Sequence, residues 1–290
     1  MDENEYDLQK TEAGTDLVLM GRWNKAAATV LEEGQADGLV LNYAKGFNEP
    51  DLRFLESWPI ARLTILDRSI RDLSPVYRMS ATLKELSIQT SPGAILDLKQ
   101  LPDLTRLGAS WGQVRDTINT LARLTHIFLL SFDSPDLTVF ESNKALESIQ
   151  MKDRPKIASL KGFSELPRLE DLGVFSGTRL KDLNDLESGN DMLHTLQLEG
   201  CRGITNLEPM SHLRGLKFLN ASDCGDIDSI RPVADLKRLE DFYLYGTTKI
   251  LDNDLSPLLQ LPHLRDVRIQ SRRTYRPSVA EVTAFLRSSE

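Results

Sequence analysis

One short unit, L-x-x-L-x-L, returns in register along most of this chain, and that recurrence leaves few folds open to it. It is seen at Ile60, Leu63 and Ile65, then at Leu83, Leu86 and Ile88, and at Leu104, Leu107 and Ala109. It continues through units that begin at Leu124, Leu146, Leu169, Leu193, Leu216, Leu239 and Leu264, with successive starts 20 to 25 residues apart. Leu39 and Leu41 form one earlier strand of the same kind. In an extended segment alternate side chains point to one side, so Leu196 and Leu198 turn inward while Thr195 and Gln197 turn outward. A single unit cannot bury its leucines; stacked units share one core and pair their strands side by side. The chain is therefore a solenoid. The second halves of the units are patterned too, as in Ile204, Leu207 and Pro209, or Ile227, Ile230 and Pro232. Proline lacks an N–H and has a fixed φ, so these prolines and the Leu101-Pro102, Leu166-Pro167 and Leu261-Pro262 pairs belong in turns outside the strands.

The units resemble the short leucine-rich repeats of bacterial internalin-like proteins, L-x-x-L-x-L-x-x-N-x-I-x-D-I-x-P-L, most closely over residues 193–213. Their spacing falls in the range of about 20–29 residues typical of such repeats. The resemblance covers residues 36–270 and implies an α/β solenoid: a leucine-rich-repeat horseshoe with a parallel concave β-sheet, an irregular or 3-10 convex side and short helical caps. It further implies a cytoplasmic bacterial protein without a signal peptide. A parallel β-helix is the rival solenoid, and the single long return segment of each unit argues against it. The asparagine or cysteine position of the resembled repeat is filled here by Arg68, Ser91, Gly112, Phe132, Arg154, Gly177, Cys201, Cys224 and Thr247. Only the cysteines fit, so the turn is expected to be irregular early and regular near Cys201 and Cys224. These two are expected to stand as buried thiols, although stacked strands bring such positions within disulfide range.

A solenoid needs covered ends. Residues 1–35 are expected to form an N-terminal β-α cap, with a strand over 15–20 and a helix capped by Asn24 and stopped by Gly34. Residues 271–290 are expected to form a helical C-terminal cap opened by a Ser278–Glu281 capping box. The linking segment holds Arg272, Arg273 and Arg276, which either balance nearby acids or bind an anion.

A net charge of −8 and a pI near 5.2 argue against general nucleic-acid binding, which needs clustered cations for the phosphates. No apolar run approaches the roughly 20 residues of a membrane helix. Two cysteines in 290 residues suit a reducing compartment, so the expected location is the cytoplasm, and the chain is expected to act as a monomer. The four histidines fall in different units without ligand spacing, and no phosphate-binding loop or nucleophile elbow is present. No catalytic residue, metal or cofactor is therefore expected.

The outward positions of the later units combine aromatics with carboxylates. The expected partner-binding residues are Asp171, Phe175, Glu199, Phe218, Asp241, Tyr243, Tyr245, Asp266 and Arg268. Exposed aromatics anchor interfaces and interleaved acids orient a basic partner. The expected function is non-enzymatic binding of a neutral or basic protein on the concave face, as an inhibitor or immunity-type protein for a basic toxin or nuclease. An intracellular scaffold or adaptor, a secreted effector or adhesin, and a solenoid hydrolase using paired strand carboxylates such as Asp241 and Asp266 are the alternatives.

Overall fold

The computed structural model describes residues 6–288; the first five and last two residues of the expected caps lie outside them. The chain forms two compact units, Met1–Phe128 and Leu129–Glu290. The first holds β1 (Tyr6–Thr11), β2 (Gly14–Leu19), β3 (Gly38–Asn42), β4 (Arg62–Leu66), β5 (Glu85–Gln89) and β6 (Arg106–Ser110). It also holds the helices α1 (Lys25–Glu32) and α2 (Trp111–Val114). A seventh strand, β7 (His126–Leu130), lies where the first unit ends and the second begins. The second unit carries β8 (Ser148–Lys152), β9 (Asp171–Val174), β10 (Thr195–Gln197), β11 (Phe218–Asn220), β12 (Asp241–Leu244), β13 (Asp266–Ile269) and the helix α3 (Val279–Ser288).

Within each unit the L-x-L strands pair in parallel, each with its sequence neighbour. Leu63 stands beside Leu86, and Leu196 stands between Leu172 and Leu219. Their inward side chains are buried, except for half-buried Val267 on the last strand, which is the leucine-rich-repeat solenoid expected from the repeat. The return segments are 3-10 turns, and their starts are capped by side chains two residues upstream. Asp136, Asp182, Asn206, Ser229 and Asp254 accept from the backbone N–H of Thr138, Asn184, Glu208, Arg231 and Ser256 at 2.8–3.1 Å. Pro209, Pro232 and Pro257 sit in the first two positions of their turns, where a missing N–H leaves no bond unmade.

The sheet is not parallel throughout. β1 and β2 form an antiparallel hairpin, with Tyr6 opposite Leu19 and Thr11 opposite Gly14. The first strand escapes a sequence reading because it is polar and almost wholly exposed, so it shows no apolar alternation. α1 begins as expected: Asn24 Oδ1 accepts from the Ala27 N–H at 2.9 Å, and Ala27, Val30 and Leu31 are buried. At the other end Glu281 accepts from the Ser278 N–H at 2.7 Å while Ser278 Oγ accepts from the Glu281 N–H at 3.3 Å. Val282 and Leu286 of α3 are buried, whereas Phe285 is exposed.

The hairpin is held by a charge cluster. Arg62 Nη2 lies 2.8 Å from both Asp16 and Asp37, and its Nη1 donates to the Ala13 carbonyl at 2.6 Å. The cluster sits over Gly38, where a β-carbon would collide with Asp16. Arg62→Ala leaves two carboxylates facing each other and is expected to destabilise the first unit by about 1–3 kcal/mol. That is less than for a fully buried pair, because half-exposed Asp37 is partly screened by solvent. The Arg62 guanidinium holds the Asp37 carboxyl below its ordinary value. This contribution is therefore complete above about pH 4 and lost as pH falls further. Urea titrations of wild type and Arg62→Ala at pH 7 and pH 3 check this, with the gap between them expected to narrow at pH 3.

Candidate functional site

Every candidate residue belongs to the second unit, and the end of each strand there determines how it is displayed. Just past the strands the backbone turns left-handed, at Ser131, Asp153, Ser176, Gly200, Asp223 and Gly246. The N–H groups of Ser176, Gly200 and Asp223 donate to the carbonyls of Glu199, Ser222 and Tyr245 on the next repeat, at 2.8–3.1 Å. The residue just before each left-handed turn thus stays in the ladder with its side chain outward, while the chain beyond turns into the core.

That inward place holds the cysteines. Cys201 donates its thiol to the Val174 carbonyl at 3.3 Å, Cys224 to the Leu198 carbonyl at 2.9 Å, and Thr248 its hydroxyl to the Ala221 carbonyl at 3.3 Å. The three form one ladder, each reaching back to the preceding repeat. The repeat-by-repeat assignment needs correction elsewhere. Asp67, Thr90, Gln113, Pro155 and Thr248 are buried where Arg68, Ser91, Gly112, Arg154 and Thr247 were expected. The turn differs by one residue between repeats, which a fixed count from the first leucine cannot register. Both cysteines are free. Burial pushes the Cys201 thiol up to about 12 and raises that of Cys224 as well. Thiolate is the reactive form, so a maleimide reagent at pH 8 is expected to leave both unlabelled in the folded protein and to label both in denaturant.

On the outward side, residues 171, 195, 218, 241 and 266 form one row across the strands, and residues 173, 197, 220, 243 and 268 the next. Five of the nine candidates meet in a single cluster on β11, β12 and β13. The Phe218 and Tyr243 rings pack edge to face at 5.0 Å, and the Arg268 guanidinium lies 4.4 Å from the Tyr243 ring centre. The Tyr243 hydroxyl donates to Asp266 Oδ2 at 2.9 Å, and Arg268 Nε reaches the same oxygen at 3.0 Å. Asp266 therefore already has two donors.

Asp241, beside it in the row, has none: among the described residues no hydrogen-bond donor or cation contacts its carboxylate. Burial raises its affinity for a proton, and the neighbouring charges of Asp266 and Glu240 add to the effect, outweighing Arg268 and Arg265. Tyr245, one step beyond β12, is 57% exposed, and its N–H donates to Ser222 Oγ at 3.0 Å. Glu199 joins the edge of the cluster through Asn220 Nδ2, at 3.3 Å.

Asp171 and Phe175 do not join it. Asp171 accepts from Ser148 and Gln150 at 3.1 and 2.8 Å. Phe175 folds over Gly173, where a β-carbon would collide with it, and lies 4.6 Å below the ammonium of Lys152. Gln150 and Lys152 are the contacting neighbours of these two candidates that sequence reasoning passed over; the same outward positions, applied to the Leu146 unit, identify them. Arg62, an outward position of the first unit, is committed to its own ion cluster.

Among the described residues no group of three or more His, Cys, Asp or Glu side chains is placed to hold a metal ion. No helix among them is long and apolar enough to cross a membrane.

No family model matches the chain, and no curated protein matches it in sequence. Solved structures do. A leucine-rich-repeat protein from Leptospira interrogans is 15% identical, with a TM-score of 0.58, over 87% of this chain and 72% of that one. An internalin from Listeria monocytogenes is 18% identical, with a TM-score of 0.57, over 74% of this chain, which spans 64% of the internalin. The leucine-rich-repeat ectodomain of a plant membrane receptor kinase from Arabidopsis thaliana, solved in complex with Casparian strip integrity factor 2, is 14% identical, with a TM-score of 0.51, over 72% of this chain and 27% of that one. At these identities the likeness is one of fold, and it agrees with the stacked L-x-L strands in making the chain a leucine-rich-repeat solenoid.

Proposed function

We propose that this chain is a non-enzymatic protein-binding module whose binding face is the outward side of β11, β12 and β13. Its core is Phe218, Asp241, Tyr243, Tyr245, Asp266 and Arg268, with Glu199 at the edge and Asp171 and Phe175 as a secondary patch on β9. The observation that carries this reading is Asp241. A half-buried carboxylate without a donor is an unfavourable feature in a folded chain, and a lysine or arginine from a partner would relieve it. Beside it Tyr245 offers a rigid aromatic of the kind that anchors interfaces. The partner is accordingly a basic or neutral protein. Within that class we favour an inhibitor or immunity-type role against a basic toxin or nuclease, in a bacterial cytoplasm; the acidic face and the two free cysteines support it. The receptor ectodomain solved with its bound factor supports the broader reading, that a solenoid of this kind serves recognition.

The test is capture from lysate of the source cells by wild type and by Asp241→Lys in parallel, followed by titration of whatever the wild type alone retains. A basic protein retained by the wild type, released as salt rises and lost with Asp241→Lys, supports the proposal. Equal retention by both overturns it.

A further inference from the structure

The second unit carries a feature of opposite sign, which the binding face does not use. The segment after β13 is pinned to the last repeat. The buried Tyr275 hydroxyl accepts from the Ile250 N–H at 3.1 Å, the Arg276 N–H donates to the Asn253 carbonyl at 2.9 Å, and the Leu255 N–H donates to the Arg276 carbonyl at 2.8 Å. Arg276 also closes on its own loop, donating to the Arg273 and Tyr275 carbonyls at 2.9 and 2.7 Å. Its neighbours Arg272 and Arg273 are thereby held at an open recess of about 510 Å³, lined also by Lys249, Asn253, Ser271 and Thr274.

No carboxylate lines this recess. The nearby acids are engaged with their own backbone: Asp252 accepts from the Asp254 N–H at 3.1 Å and Asp254 from the Ser256 N–H at 2.8 Å. Lys249 reaches Asp226 only at 3.5 Å. The guanidiniums of Arg272 and Arg273 have no hydrogen-bond or ion-pair partner among the described residues, and Arg272 Nε is buried without an acceptor. On a chain of net charge −8, such a cluster is not a general basic surface. It is a local site in which the two guanidiniums lack an acceptor, beside a lysine whose one ion-pair partner, Asp226, lies outside the recess lining.

We propose that this recess, formed by Lys249, Arg272 and Arg273 with Asn253, Ser271 and Thr274, binds a phosphate group. Three cationic side chains exceed what one carboxylate neutralises and suit a dianion. Guanidinium groups match the oxygens of a phosphate in paired hydrogen bonds, and the hydroxyl and amide side chains can serve those that remain. Inorganic phosphate and a phosphorylated side chain share this chemistry.

The experiment is calorimetric titration of the full chain at low ionic strength with inorganic phosphate, with a short O-phosphoserine peptide and with acetate. It is repeated on Arg272→Gln/Arg273→Gln, with circular dichroism to confirm folding. Saturable binding of phosphate or the phosphopeptide, weakened about tenfold or more in the double variant and at least as much for acetate, is the expected result. Tighter binding of the peptide than of phosphate assigns the site to a phosphorylated chain; the reverse assigns it to free phosphate. Absence of saturable binding by either ligand, or equal binding by wild type and the folded variant, overturns the proposal.

Discussion

Phe242→Ala is expected to lower the stability of the second unit by about 3–5 kcal/mol, the range for truncating a fully buried phenylalanine. The ring is wholly buried on β12, between outward-facing Asp241 and Tyr243. In a stack of repeats each inward side chain fills space shared with its neighbours, Leu219 and Val267 being its partners across the sheet. Those strands position the aromatic and acidic cluster, so the variant should lose partner binding along with stability. Tyr245→Ala is the contrast: its ring is largely in solvent, and its removal should change stability by no more than about 0.5 kcal/mol. Urea unfolding followed by circular dichroism reads both. A loss below about 1 kcal/mol for Phe242→Ala would be too small for a packed interior at that position.

Asp241→Lys carries the largest expected effect on binding, a fall in affinity of about thirtyfold or more, equivalent to about 2 kcal/mol. It replaces a carboxylate lacking a partner by a cation facing a basic protein. The conservative Asp241→Asn should weaken binding less and leave the fold at least as stable at pH 7. Burial and Asp266 disfavour the charged carboxylate, so neutralising it relieves the native state. The pH dependence follows with a definite sign. A basic partner binds the ionised form, so affinity is full above the raised titration range of Asp241 and declines as pH falls through it. Asp241→Asn should remove that part of the pH dependence. Affinity unchanged in Asp241→Lys, with circular dichroism showing an intact fold, contradicts the assignment.

Much of this architecture was legible because it is written in short-range chemistry. The spacing of leucines located the strands from Leu39 and Leu41 to Ile269, since period-two burial leaves a direct mark on residue type. Asn24 and the Ser278–Glu281 pair located the helix starts, because the orphan N–H groups of a first turn need nearby acceptors. β1 was not legible: a strand exposed on both faces has no apolar pattern to read. The inward turn residue was misplaced by one at Asp67, Thr90, Gln113, Pro155 and Thr248, because the turn shifts by a residue between repeats without altering the leucine pattern.

The candidate site was legible as a row of residues but not as a set of contacts. Outward positions identify Phe218, Asp241, Tyr243 and Asp266 as neighbours. Which carboxylate already has donors, and which has none, depends on side-chain directions that spacing does not encode. The same limit concealed the commitment of Arg62 to Asp16 and Asp37.

The most direct test of the binding face is site-specific photo-crosslinking in the source cells, with benzoylphenylalanine placed at Tyr245 in one variant and at Ile95 in another. Both side chains are exposed to a similar degree, 57% each, but Ile95 belongs to the first unit and is not among the proposed binding residues. The account predicts a discrete protein adduct from position 245 that is lost with Asp241→Lys, and none from position 95. An adduct from position 95 with none from position 245 would contradict it.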